Sequence, residues 1–471
     1  MRLSAALLAA LLVVAAVGHG VTAAGSSAVP ATPDTTTAPA ALDASPTPAQ
    51  SSVGSSSSVA VDTTGATLGS VRSTALAPNS PHTTAERVTD DDSDGPNVSR
   101  VLILPAAAVG ARNVTAVTVD TAGATGLGSD AVETRVGTNA LASRLGVTRG
   151  EARRELLGDA VDRLANETAT LERRQATAIR SYNAGEATTR EFLAAVARID
   201  RTATLLERRA VLLRNVSRET FAEGSPMADN ISRTRSSLRR FQGPVRDRIS
   251  ASVTGRNDPA RVFVATTEQG VTLSTIDNGT YVREVYRGFL WNNGGTGLTG
   301  AEVSNAVSEA YPEIWETRNR TSGTGSADAF VLTVSHPDGR LDAHVRGENR
   351  RVFREVQRLP LSTYPTGPST NRSLNGLVMR VDRTYPGGPL RVNVTDQRTG
   401  EPVNTSVAIS PIGGPGLVTV GETGADGVLW TLGGGGNQQG YTITASQFDG
   451  PGVVVVVTGP SEPTTVADAR G

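Results

Sequence analysis

Residues 188–213 read TTREFLAAVARIDRTATLLERRAVLL. The apolar side chains fall at Phe192, Val196, Ile199, Ala203, Leu206, Ala210 and Leu213, in steps of four and three that draw one stripe along a helix for three heptads. Thr188 and Glu191 supply the Thr-x-x-Glu box that satisfies free amide donors at a helix start. Upstream, Leu157, Val161, Leu164, Thr168 and Leu171 keep the same alternation, Thr148 and Glu151 read as a matching box, and Asn183-Ala184-Gly185 between the stripes reads as a turn. The spacing predicts two helices of about 34 residues, each roughly 50 Å long, folded back over 149–222 as an antiparallel coiled-coil hairpin. Counted from the seams, Asn166 and Asn215 fall at the position farthest from the partner helix. Residues 226–250 continue as an arginine-rich helix broken at Gly243-Pro244, so that the helical part spans 149–250.

Downstream the period changes. Asn278-Gly279 and Asp338-Gly339 are dipeptides that two-residue hairpin turns favour. A loop at the second pairs His336 with Leu341, Val334 with Ala343 and Leu332 with Val345, placing Phe330, Leu332, Val334, Leu341, Ala343 and Val345 on one face. Between the hairpins Thr299 and Glu302 form a third box, followed by a short helix lined by Val303, Val307 and Tyr311 and ending near Trp315. Residues 258–360 thus read as an α+β module. From 374 to 460, Leu390, Val392 and Val394 alternate with Arg391, Asn393 and Thr395, and Val403, Thr405, Val407 and Ile409 with Asn404, Ser406 and Ala408. With Val428-Leu429-Trp430, Tyr441-Thr442-Ile443-Thr444 and the valine run 453–457, they predict a β-sandwich of about seven strands. The fold class is multidomain α+β.

Upstream of the hairpin, Arg2, the apolar run 3–17 and the small residues 23–25 have the order of a secretory signal peptide over 1–24, too short for comfortable bilayer crossing; an uncleaved anchor is the alternative. Residues 25–96 are dominated by Ser, Thr, Pro, Ala and Gly, a composition that cannot offset its ordering entropy, and read as a disordered stalk. A short strand at Val101–Leu104 and connecting sequence fill 97–148, and 461–471 is a disordered tail. All forty-five cations are arginine and cysteine is absent, which removes disulfides, thiolate metal sites and thiol nucleophiles. A net charge of −1 does not mark a nucleic-acid binder.

Ten of the twenty asparagines open an Asn-X-Ser/Thr triplet, where serine and threonine frequency predicts roughly four. They are Asn97, Asn113, Asn166, Asn215, Asn230, Asn278, Asn319, Asn371, Asn393 and Asn404, and from Asn113 onward they lie in folded sequence as candidate glycosylation sites. Chemistry is thin by contrast. His19 and His82 precede the folded part, while His336 and His344 point to opposite faces of one hairpin and read as surface strand histidines. No Gly-x-Ser-x-Gly elbow occurs. Asp90, Asp92, Asp94 and Gly95 open a calcium-loop pattern whose twelfth position is Val101 instead of glutamate. Gly295, Gly297 and Gly300 match a dinucleotide spacing better explained by the Thr299 cap. Arg233, Arg235, Arg239, Arg240, Arg246 and Arg248 read as a solvated basic face, with an anionic polymer or a partner's carboxylates as the functional alternative.

Together the signal and stalk, the helical hairpin, Tyr281-Val282-Arg283-Glu284-Val285-Tyr286-Arg287, Tyr311-Pro312-Glu313-Ile314-Trp315 and Val352-Phe353-Arg354-Glu355 resemble exported proteins of halophilic archaea known only as domains of unknown function. The order of elements from 280 to 358 looks like a PepSY module, found in protease propeptides, and 389–446 looks like transthyretin-like or bacterial immunoglobulin-like repeats. The expectation is an exported, N-glycosylated envelope protein with a structural or binding role. It is not an enzyme and has no cofactor, no metal and no nucleic acid. No transmembrane helix lies beyond the signal segment, and the partner is an envelope protein or anionic polymer. A PepSY-like peptidase regulator is the alternative; a secreted carbohydrate-active enzyme is least favoured.

Overall fold

The computed structural model describes residues 100–457 other than 222–224, 292–296, 327–328, 368, 386, 413–415, 434–439 and 448–451. The signal peptide, the stalk, Asn97, the Asp90 segment, Gly295 and the tail lie outside the described residues.

Among the described residues, the first strand is followed by five helices: α1 (Thr121–Val147), α2 (Gly150–Asn183), α3 (Thr189–Thr220), α4 (Pro226–Arg239) and α5 (Pro244–Val253). The apolar stripe of α3 is buried as its spacing requires, but Leu193, Ala197, Asp200, Leu205, Arg209 and Val216 are buried too. The reason is that α3 packs against α1, α2, α4 and α5 at once. It is the central rod of a bundle, and a two-helix seam accounts for only part of its contacts. α1 replaces most of the connecting sequence expected over 97–148; five glycines (123, 126, 128, 137 and 146) and outward-facing Val132 and Val136 erase its period. Thr188 and Glu191 form the expected reciprocal box. Thr148 does not: it closes α1, donating through Oγ1 to the Arg144 carbonyl at 2.7 Å, and Arg149 precedes α2 without a side-chain cap.

An eight-stranded antiparallel sheet follows, in the order β1 (Ala111–Val117), β2 (Ala260–Thr266), β3 (Gly270–Asp277), β4 (Thr280–Arg287), β8 (Val352–Pro360), β7 (Gly339–Arg346), β6 (Ala329–His336) and β5 (Arg320–Ser326). Because β1 comes from before the helices, the 258–360 segment shares one sheet with the supposed connector. One face of β1–β4 buries Val262, Val264, Val271, Leu273 and Val282 against α3 and α5. The opposite face of β4–β8 packs on α6 (Gly300–Ala310) and α7 (Pro312–Glu316), with Val303, Val307, Leu332, Val334, Leu341 and Val345 in one cluster. Thr299 caps α6 through Glu302.

Asn278-Gly279 is a two-residue turn with φ of 46° and 72°. The second hairpin differs from its expected register: Val334 pairs with Leu341 and His336 with Gly339, so the loop is Pro337-Asp338. Proline pre-sets φ at the first turn position, and Gly339 takes the φ of 143° that follows. The slip is two residues, so the apolar face stays as expected.

Val101–Leu104 is not a strand. Its backbone bonds to side chains rising from a sheet face instead of to a neighbouring strand. Leu102 N–H donates to Glu355 Oε2 at 2.6 Å, Arg283 donates to the Leu102 carbonyl at 2.6 Å, Arg287 Nε to that of Ile103 at 2.8 Å, and Gln357 to that of Arg100 at 2.7 Å.

Eight more strands follow among the described residues, one more than expected and starting earlier. They form two antiparallel sheets, β14 (Val428–Leu432), β11 (Pro389–Asp396), β10 (Leu377–Asp382), β9 (Ser369–Leu374) and β13 (Val418–Glu422), β12 (Ser406–Pro411), β15 (Tyr441–Ser446), β16 (Gly452–Val457). Met379, Val381, Val392, Val394, Val407, Ile409 and Ile443 fill the space between them.

Candidate functional site

Two sets of buried charges sit back to back on β4 and β8. Toward the helices, Arg246 Nε donates to Glu284 Oε1 at 3.2 Å, and its Nη1 donates to Gln175 Oε1 and to the Phe241 carbonyl. Gly243 N–H donates to Asp200 Oδ1 at 2.9 Å. Gly243 is there because a Cβ would lie 1.5 Å from Glu284 Oε2, an oxygen left without a hydrogen-bond partner. Burial holds the Asp200 carboxyl well above the usual range, reinforced by Asp247 and opposed by Arg246 and the Gly243 amide. Burial also raises Glu284, against the pull of Arg246 and Arg354. Arg354 is brought down to about 10 by burial; it donates to the Gln242 carbonyl and, through Nη1, lies 3.1 Å from His344 Nε2. His344 is held well below the ordinary imidazole value by burial and then by Arg354 and Arg239, so it accepts from the guanidinium as a neutral ring. On the opposite face Glu355, fully buried, pairs with Arg283. Burial works against the Arg283 charge, yet Glu355 more than compensates and raises it.

The expected site residues fall into three groups. His336 and His344 do lie on opposite faces, but neither is a surface histidine: His336 is buried and His344 is half-buried. The arginine segment is not a solvated face. Arg235 and Arg239 converge on Glu207, Arg240 pairs with Glu172 and lies over the Trp291 ring, Arg246 pairs with Glu284 and Arg248 with Asp277, with Arg240 and Arg246 only 3% exposed. Of that set only Arg233 is exposed. Those carboxylates, distant in sequence, occupy the sites that an anionic polymer would need.

The sequon asparagines behave otherwise. Asn113, Asn166, Asn215, Asn230, Asn278, Asn319, Asn371 and Asn404 are exposed, and Asn393, on the inner strand β11, is half-buried. Asn166 also lines a cleft of about 410 Å³ between α1, α2 and α3, with Leu141, Leu171, Leu206, Arg163 and Arg174. Buried Arg209 closes it, bonding Glu167 at 2.6 Å and Thr138 Oγ1 at 3.0 Å. Among the described residues no group of three or more His, Asp or Glu side chains is placed to hold a metal ion, and no helix is long and apolar enough to cross a membrane.

Sequence reasoning missed the Asp200–Arg246–Glu284–Arg354 layer and the Arg283–Glu355 pair. A signal was present: in Tyr281-Val282-Arg283-Glu284-Val285-Tyr286 apolar residues occur at both parities, which marks a strand covered on both faces and buries the two charges between them.

Residues 1–258, more than half of the chain, match a domain of unknown function, DUF7096. The chain belongs to the DUF7096 family. Behind its DUF7096 part, residues 262–365 match a family of unknown function, DUF7094, and residues 362–455 match an archaeal fibronectin-III type-like domain. The last two matches meet where β8 ends and β9 begins. They support an archaeal chain of unknown-function domains with a fibronectin-III-like C-terminal module; the PepSY-like and transthyretin-like likenesses are not among them. No curated protein and no solved structure matches this DUF7096 chain.

Proposed function

We propose that this protein is an exported, N-glycosylated component of the cell envelope whose role is structural or binding and not catalytic. The observation that carries the reading is the accessibility of the sequons: an oligosaccharide can be carried only by an asparagine whose amide reaches solvent, and none of the nine within the described residues is buried. Their excess over the roughly four triplets that chance supplies adds weight, as does the signal-like start followed by a Ser/Thr-rich stalk. The partner is a protein of the envelope, since the arginines that would hold an anionic polymer are paired internally.

Fractionation and intact-mass measurement of native protein test this reading. The expected result is envelope or extracellular material heavier than the polypeptide by whole glycans. Full-length, unmodified protein confined to the cell interior would overturn it.

A further inference from the structure

The eight-stranded sheet is open, with β1 and β5 as its two edges, and each edge carries a sequon. Asn113 is the third residue of β1, and Asn319 immediately precedes β5, its backbone N–H donating to the Ser335 carbonyl of β6 at 2.8 Å. An edge strand presents unpaired backbone groups to any other strand, and proteins blunt it with charges, proline, bulges or a covering element. β5 has little of this. It reads Arg-Thr-Ser-Gly-Thr-Gly-Ser, with one charge at its first position and no proline. α4 approaches it, yet residues 320–325 stay exposed. Six such residues present an edge of roughly 20 Å.

At β1 the asparagine side chain lies along the edge. Asn113 Oδ1 accepts from Val114 N–H at 2.7 Å, and Nδ2 donates to Thr189 Oγ1 at 2.8 Å. A glycosylated asparagine amide keeps one N–H, so that second bond is compatible with a sugar on the same nitrogen.

We propose that glycans on Asn113 and Asn319 are edge guards, whose function is to stop a second copy of this chain from adding its own strand to the sheet. The proposal rests on the glycosylated reading above and assigns a job to two of its sites; sequons on helices, such as Asn166 and Asn215, have no edge to guard.

The test uses the full chain made in its native host. Glycopeptide mass spectrometry first reports occupancy at Asn113 and Asn319. The double variant Thr115→Ala/Thr321→Ala then removes both sequons and keeps both asparagines, with Asn166→Gln/Asn215→Gln as the comparison. Light scattering is expected to show about a twofold or larger rise in apparent mass for the edge variant alone, with cross-links through β5, and Thr324→Lys added to that variant should return it to the parent mass by charging the edge. Occupied sites with edge and helix variants equally monodisperse would overturn the guard role and leave glycosylation standing. Bare asparagines at both positions in the parent would overturn the guard role, and the glycosylated reading beneath it falls only if the other seven sequon asparagines of the described residues are bare as well.

Discussion

At the residue scale, the buried carboxylates decide how stability depends on pH. Asp200 is 1% exposed and is held up chiefly by burial. Below the unfolded carboxylate value of about 3.9 both states are protonated and Asp200 costs nothing. As pH rises, the unfolded chain releases its proton first while the folded chain keeps it. Stability therefore falls with pH until the folded-state value is passed, then levels. Asp200→Asn removes this dependence while its side-chain oxygen still accepts from Gly243 N–H. Urea denaturation from about pH 4 to about pH 8 should show the variant gaining on the parent as pH rises. Parallel curves would mean that Asp200 is already ionised throughout. Glu284, also raised by burial, has the same sign, so some slope persists in the variant. The Arg246–Glu284 pair is weak evidence for net stability, because desolvation offsets much of the attraction of a buried ion pair; what it supplies is a fixed position for α5 over β4.

At the element scale, the caps separate what was legible in the sequence from what was not. Thr188 and Thr299 were readable because each precedes a strong apolar period with nothing helical just before it. Thr148 has the same spacing to Glu151, but α1 ends on it, and a helix without a period hid that end. Thr188→Ala should cost about 1 kcal/mol, since it frees the Glu191 amide that its Oγ1 accepts at 3.2 Å and leaves the Glu191 side chain bonded only to the backbone. Thr148→Ala should cost distinctly less, losing one exposed bond to the Arg144 carbonyl. Chemical denaturation of the two variants checks the order; equal losses would restore the box at Thr148. The hairpin faces were legible although the loop was not, because a two-residue slip leaves every side chain on its face. The arginine segment was illegible for another reason: its partners Glu172, Glu207 and Asp277 are brought to it only by tertiary packing, and a run of charge in sequence carries no information about such partners. Residues 101–104 have the composition of a strand, but Arg283, Arg287 and Glu355 take the backbone groups of Leu102 and Ile103 that strand pairing would use.

At the scale of the whole molecule, the fibronectin-III-like sandwich is joined to the large sheet through a packed junction. Phe263, Ala265, Tyr281, Leu359, Leu361 and Leu432 form one buried cluster with Tyr364, Tyr385 and Trp430 against it. The Gly387 carbonyl accepts from Tyr281 OH and from Ser274 Oγ, both at 2.9 Å, and Tyr385 OH donates to Tyr281 OH at 3.1 Å. Gly387 itself has φ of 76°, and a Cβ there would lie 2.3 Å from the Phe263 ring. Gly387→Ala thus combines backbone strain with overpacking that forces Phe263 out of place, and should destabilise by about 1–3 kcal/mol. Because the junction buries the same aromatic groups for both parts, the protein should melt in one transition, followed equally by the fluorescence of Trp430, isolated by replacing Trp291 and Trp315 with Phe in parent and variant alike, and by far-ultraviolet dichroism. In the variant the fluorescence transition should come first, with limited proteolysis opening the chain between Leu361 and Ser369. A parent that melts in two separated steps would show that the sandwich is merely tethered. A single step would mean that the sandwich, the strands β2, β3 and β4 beneath it and, through Val262, Leu273 and Val282, the helices behind them unfold as one cooperative unit.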